Sequence, residues 1–251
     1  MRKIMPGNKL EQKLSVAVVT LVLLGALATA ACIRKSATSP GELPAEAPLS
    51  APLPLSGWTI LVDPGHGGYD GGARARLSGT WEKELNLAVA LATEQELIAR
   101  GATVVLTRRE DVDLCTDHRP AGKTMKREDM ENRLAIARDS KADMILSIHM
   151  NQYRSASESG PQVFYRAGSD EGRLLAGCLQ ASLIAGLSPP RERSALSGDY
   201  FILGLDKPSA LVECGFLSNA REEQLLRTAD YRQRVAQAIA EGVAEFARLS
   251  R

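Results

Sequence analysis

Along residues 57–251, short apolar runs alternate with segments whose apolar positions recur every three to four residues. Runs at Thr59–Asp63, Thr103–Thr107, Met144–Ile148, Gln162–Tyr165, Tyr200–Leu203 and Ala210–Val212 have the length and composition of strands. Helical spacing fits Glu82–Arg100, Arg127–Ser140, Asp170–Leu187 and Ala229–Leu249. In the last of these, Val235, Ile239, Val243 and Phe246 share one face, which predicts a stripe packed against a sheet. Strands interleaved with helices predict a single α/β domain: a twisted, mostly parallel or mixed central sheet of about six strands flanked by helices.

Upstream the pattern changes twice. Arg2, Lys3, Lys9 and Lys13 precede an uncharged run from Ser15 to Cys32, the layout of an export signal within residues 1–35. That run is also just long enough to cross a bilayer, so a retained signal anchor competes with cleavage. Small residues before Cys32 make a third outcome, a lipoprotein signal, although Thr29 stands where such signals usually carry Leu. Residues 36–56 are rich in Pro, Ala and Ser and predict a linker, with Pro40, Pro44, Pro48, Pro52 and Pro54 blocking regular helix. The expectation is an exported, extracytoplasmic catalytic domain at residues 57–251, held at the membrane through its N-terminal segment.

Composition narrows the partners. With 31 Lys+Arg against 30 Asp+Glu the net charge is +1, so no global field favours a polyanion and nucleic acid is not expected. Cys115, Cys178 and Cys214 are scattered without Cys-x-x-Cys spacing, which argues against a cysteine zinc site and predicts free thiols.

The chain has three histidines, and two of them follow strands: His66 after Thr59–Asp63 and His149 after Met144–Ile148. Glu213 follows Ala210–Val212. Carboxyl ends of strands are where side chains converge on a ligand in open α/β sheets. Two imidazoles and a carboxylate, with one position left open, form a common catalytic metal set, and either Glu82 or Glu84 is placed to supply the carboxylate. Donors of this kind suit zinc, with Mn or Co as alternatives. Glu213 sits between apolar segments, where a carboxylate is costly unless paired or used. The glycine-rich Asp63-Pro-Gly-His-Gly-Gly68 turn has a competing reading as a phosphate loop, but it lacks the Gly-Lys-Ser/Thr of a P-loop. His118, among charged residues, reads as a surface side chain.

Taken together, Ile60-Leu-Val-Asp-Pro-Gly-His-Gly-Gly68, Glu82-Lys-Glu-Leu-Asn-Leu87, Thr107-Arg108, Ser147-Ile-His-Met-Asn151 and Leu211-Val-Glu-Cys-Gly-Phe-Leu-Ser-Asn219 resemble the zinc-dependent N-acetylmuramoyl-L-alanine amidases in order and spacing. The resemblance implies that His66, Glu82 and His149 are metal ligands and that Glu213 is the catalytic carboxylate. It selects Glu82 over Glu84 through the Asn86 and Leu87 that follow. Asp63 is a candidate for orienting a ligand, Asn86 and Asn151 are candidates by their place in the motifs, and Arg108 is a candidate for holding a substrate carboxylate or else a surface salt bridge. Met150 replaces a commonly small residue.

Lys126-Arg-Glu-Asp-Met-Glu-Asn-Arg133 and Ser159-Gly-Pro-Gln-Val-Phe-Tyr165 further resemble the germination-specific amidases of spore formers. That resemblance implies a peptidoglycan substrate, a role in spore cortex maturation through muramic lactam formation, a location in the forespore intermembrane space, and a lipoprotein partner. The basic cluster Lys123, Lys126 and Arg127 reads as a solvated loop or as a contact for an anionic wall polymer. Two rival classes stay open: a non-catalytic peptidoglycan-binding protein, and a metal hydrolase of another bond, such as a deacetylase or phosphoesterase.

Overall fold

The computed structural model describes residues 52–116 and 121–250. The expected export signal, most of the linker and His118 lie outside the described residues. Among those described, no helix is long and apolar enough to cross a membrane.

Strands β1 (Thr59–Pro64), β2 (Thr103–Leu106), β3 (Met144–Asn151), β4 (Gln162–Tyr165), β5 (Leu196–Ser197) and β6 (Ser209–Phe216) form one sheet in the order β2-β1-β3-β6-β4-β5. The β1–β2, β1–β3, β3–β6 and β4–β5 pairs are parallel, and only β4–β6 is antiparallel. The helices are α1 (Glu82–Ala99), α2 (Met125–Asp139), α3 (Asp170–Leu187), α4 (Ala220–Leu226) and α5 (Ala229–Leu249).

Side chains of a strand alternate between its two faces, and that rule divides the interior. Ile60, Val62, Leu146, Ile148, Ala210 and Val212 belong to the larger core, with Val89 and Leu97 of α1, Leu175 and Leu179 of α3, and Val235, Ile239 and Phe246 of α5. Leu61, Ile145 and Leu211 face the other way, against Leu134 and Ala137 of α2 and Ile202 and Leu203. Continuing the alternation by two residues puts Asp63, Ser147 and Glu213 on this second, thinner side, and by four puts His149 there.

Two expectations change. Tyr200–Leu203 is not a strand: Phe201–Leu203 is a single 3-10 turn, and the sixth strand is Leu196–Ser197. Ile202 and Leu203 are buried, so their hydrophobicity reflects a cap over the thin side of the sheet. Helix α4 went unread because it is only seven residues long. The linker also ends earlier than expected: Leu55 is fully buried and its N–H donates to the Arg100 carbonyl at 2.9 Å. Cys115, Cys178 and Cys214 are free thiols, the last two buried.

Candidate metal centre

The chain leaves β1 through Pro64 and turns at Gly65–Gly68. His66 has φ +60°, a left-handed conformation that is uncommon for a non-glycine residue and is favoured when the surroundings hold it. The constraint is visible in two buried guanidinium groups. Arg108 donates from Nε to the Pro64 carbonyl at 3.0 Å and from Nη2 to the Gly65 carbonyl at 3.0 Å. Arg133 of α2 donates from Nη1 to Pro64 O at 2.9 Å and from Nη2 to His66 O at 2.7 Å. Three consecutive carbonyls of the turn are thus held by two arginines. Gly65 is required by close approach, because a Cβ there would come within 2.2 Å of the His149 ring.

Helix α1 starts against the same turn. It has no side-chain cap; its first free N–H groups, which every helix must satisfy, donate instead from Glu82 to Ala73 O at 2.9 Å and from Lys83 to Gly71 O at 3.2 Å. This lays the Glu82 side chain inward, 4% exposed, while Glu84 is exposed.

His66, Glu82 and His149 therefore converge, with one candidate ligand atom from each lying within 4.8 Å of the others. Glu82 Oε1 is 3.0 Å from His149 Nδ1 and 3.3 Å from His66 Nε2. The Met150 N–H and Asn86 Nδ2 also donate to Oε1, both at 3.2 Å, and the Ala73 N–H donates to Oε2 at 2.8 Å. Burial opposes the charge on Glu82, but the hydrogen bonds and proximity of His149 and His66 hold its carboxyl well below the ordinary range. Asp70 Oδ2 lies 2.9 Å from His66 Nδ1. A proton on Nδ1, donated to Asp70, leaves the Nε2 lone pair facing Glu82 and His149, the arrangement in which an outer carboxylate orients a metal-binding imidazole. That hydrogen bond holds the Asp70 carboxyl down at about 2.

Glu213 pairs in register with His149 across the parallel β3–β6 ladder, so the two side chains sit side by side on one face. Its Oε2 is sealed from solvent and has no hydrogen-bond partner. Burial pushes the Glu213 carboxyl up to about 7, where it can both take and return a proton near neutrality. Two nitrogen donors, one carboxylate oxygen and a half-buried carboxylate beside them, with one oxygen sealed and unpartnered, fit a divalent cation with an open position.

Asp63 does not touch either histidine. It accepts hydrogen bonds from Thr107 Oγ1, Ser147 Oγ and Arg133 Nη1, each at 2.7 Å. Burial opposes its ionisation, but the Arg133 guanidinium and these bonds hold it below the usual carboxylate range. Its influence on the centre passes through Arg133 to the His66 carbonyl. Arg108 departs from both of its expected roles, since it is 3% exposed and its guanidinium is engaged with the carbonyls of Pro64, Gly65, Lys83 and Glu110. Asn86 Nδ2 also reaches Gly65 O at 3.1 Å. Asn151, at the end of β3, accepts the Leu217 N–H on its backbone carbonyl at 2.8 Å. The sequence reading missed Asp70 and Arg133. Asp70 had one available signal, its place four residues after His66; Arg133 lay inside a motif used only for resemblance.

Residues 60–245 match the N-acetylmuramoyl-L-alanine amidase family, Amidase_3. The germination-specific N-acetylmuramoyl-L-alanine amidase of Bacillus subtilis is 37% identical over 195 residues, covering 77% of this chain and 81% of the relative. The amidase LytC of the same organism is 33% identical over 198 residues, 78% of this chain but 36% of LytC. Among solved structures, the CwlD amidase from Clostridioides difficile, determined in complex with the GerS lipoprotein, superposes with a TM-score of 0.72 at 33% identity, covering 76% of this chain and 99% of that one. The match spans the sheet, the turn at His66 and the strand that carries Glu213, and on it the chain belongs to the N-acetylmuramoyl-L-alanine amidase family.

Proposed function

We propose that this protein is a zinc-dependent hydrolase of the amide bond joining the lactyl group of muramic acid to the L-alanine of peptidoglycan stem peptides. The observation that carries the reading is the convergence of His66, Glu82 and His149 with Glu213 next in register on the same face. These three side chains would hold the metal, and their nitrogen and oxygen donors suit zinc. Zinc, when bound, supplies Lewis acidity that polarises a carbonyl and acidifies water. Glu213 takes the proton of the attacking water and returns it to the departing L-alanine amine. Asp70 keeps His66 in the tautomer that presents Nε2, and Arg108 and Arg133 hold the turn that aims it.

The likeness to a germination-specific amidase supports a role in spore cortex maturation. The lipoprotein complex of the C. difficile relative supports a lipoprotein partner for this chain as well. The Ser15–Cys32 run supports an extracytoplasmic, membrane-associated location.

The test is digestion of purified peptidoglycan by the zinc-loaded protein, followed by mass spectrometry. Intact stem peptides with free L-alanine amines are expected; their release stops on chelation and returns with zinc. Acetate or phosphate release without peptide overturns the amidase reading in favour of another wall hydrolase, and retention on peptidoglycan with no product at full zinc occupancy favours a binding role.

A second expectation concerns Asp70→Asn. With the carboxylate replaced by an amide, the acceptor for His66 loses its charge and a single oxygen must serve both His66 and the Gly72 N–H, and zinc affinity falls about 10–100-fold in a competition titration against a chromophoric chelator. An unchanged affinity removes Asp70 from the centre.

A further inference from the structure

A cavity of about 130 Å³ opens beside His66 and His149 on the thin side of the sheet. Met130 of α2 with Tyr200, Phe201, Ile202 and Leu211 supplies apolar wall, and Lys126, in the first turn of α2, stands among its lining residues. Pockets for drug-sized ligands run to roughly 300–1,000 Å³, so this space takes one small residue and excludes a disaccharide. If the amide is cut at the neighbouring centre, the peptide side of the substrate enters here and the glycan stays outside.

Charge decides which peptide. Every carboxylate lining the cavity is already answered. Asp63 and Asp129 both pair with Arg133 at 2.7 Å, and Asp70, which feels the Lys126 charge, is bonded to His66. The other two members of the basic cluster are also engaged: Lys123 and Arg127 share Glu131, at 2.8 and 2.5 Å, and Arg127 lies over the Phe201 ring at 4.7 Å. Lys126 is exposed and makes no ion pair among the described residues. The cavity therefore carries one unanswered cation at its edge. In the stem peptide the residue after L-alanine is a glutamic acid joined through its side-chain carboxyl, which leaves its α-carboxyl either free or amidated.

We propose that Lys126 selects stem peptides whose second residue bears a free α-carboxylate, pairing with that carboxylate while the apolar wall takes up the L-alanine side chain. This rests on the amidase reading above. The amidated peptide offers no charge to Lys126, so discrimination falls on binding and appears in KM. An exposed pair of this kind contributes little, and a preference of about fivefold in kcat/KM is expected, shrinking as salt screens it.

The experiment compares two soluble muramoyl tripeptides with the zinc-loaded full chain; both carry the same third residue on the glutamate side-chain carboxyl, and they differ only in whether the glutamate α-carboxyl is free or amidated. Wild type prefers the acid, Lys126→Gln brings the ratio to about one, Lys126→Glu inverts it, and Lys123→Gln, whose lysine is engaged with Glu131, leaves the wild-type ratio. Equal use of both peptides by wild type, or a preference that survives in Lys126→Gln, overturns the proposal. Hydrolysis of neither peptide by wild type overturns the amidase reading itself and this proposal with it.

Discussion

Glu213→Gln is expected to lower kcat by about 10²–10⁴-fold, the usual contribution of a positioned acid–base group, while zinc still binds at His66, Glu82 and His149. The two side chains have nearly the same shape, so the substitution removes the capacity to accept a proton and little else. Stability should move in the other direction. Glu213 Oε2 is sealed without a partner, and burial raises the carboxyl to about 7, so at neutral pH the fold carries part of the cost of a buried charge. The neutral amide relieves that cost, and the metal-free variant should unfold at a denaturant concentration equal to or above that of wild type. The pairing of lost activity with retained stability is the pattern of a group kept for chemistry. Release assays and metal analysis on the same sample check it. A variant with stoichiometric zinc and more than about a tenth of wild-type kcat would exclude Glu213 from proton transfer.

Arg133→Met is expected to destabilise the protein by about 3–5 kcal/mol, the cost of removing one partner from a buried ion network. Arg133 is 1% exposed and answers both Asp63 and Asp129. Its loss leaves those carboxylates without their cation, frees the His66 carbonyl and leaves the Pro64 carbonyl with Arg108 alone. The pH dependence follows from the direction of the Asp63 shift. Its folded-state carboxyl lies below the ordinary 3.8, so its contribution is fully present above that value and is lost as pH falls through the folded-state value. In the variant, Asp63 protonates readily and loses less. The gap between wild type and variant therefore narrows as pH drops below the ordinary carboxylate range. Urea denaturation at neutral and acidic pH measures both quantities. Arg133→Lys restores one charge but lacks the five-donor fork, and recovers only part of the loss. A cost below about 1 kcal/mol at neutral pH would mean that the turn at His66 holds itself.

Much of this arrangement was legible in the chain because it depends on period. Alternation along β1, β3 and β6 is visible as apolar runs, and the residues that end those runs are the ones that meet at the carboxyl edge of the sheet. The position of Glu82 was legible only by comparison of motifs, since a first-turn glutamate looks the same whether it faces solvent like Glu84 or the sheet. What stayed hidden was determined by tertiary contact. Tyr200–Leu203 has strand composition, but its hydrophobic residues cap a layer and its backbone turns. Arg108 reads as a substrate contact or a surface salt bridge and Arg133 as part of a motif without a role of its own, because nothing local tells that a guanidinium will be spent on the backbone of a turn 44 or 69 residues away. Asp63 was read as acting directly on a ligand. Its three hydrogen bonds come from three different elements or loops, which no spacing rule reports.

Strand β6 lies between β3 and β4, yet it is the last strand to leave the chain. Until Ser209–Phe216 is available, β1, β2 and β3 can form only a partial sheet whose β3 edge is unpaired and rich in Ile and Leu, the kind of edge that templates wrong pairings. Closure must await contacts between segments far apart in sequence, and such topologies fold slowly. For a chain that emerges N-terminus first, the centre of the sheet is thus its most vulnerable place, and truncations before residue 216 should aggregate rather than persist as smaller domains.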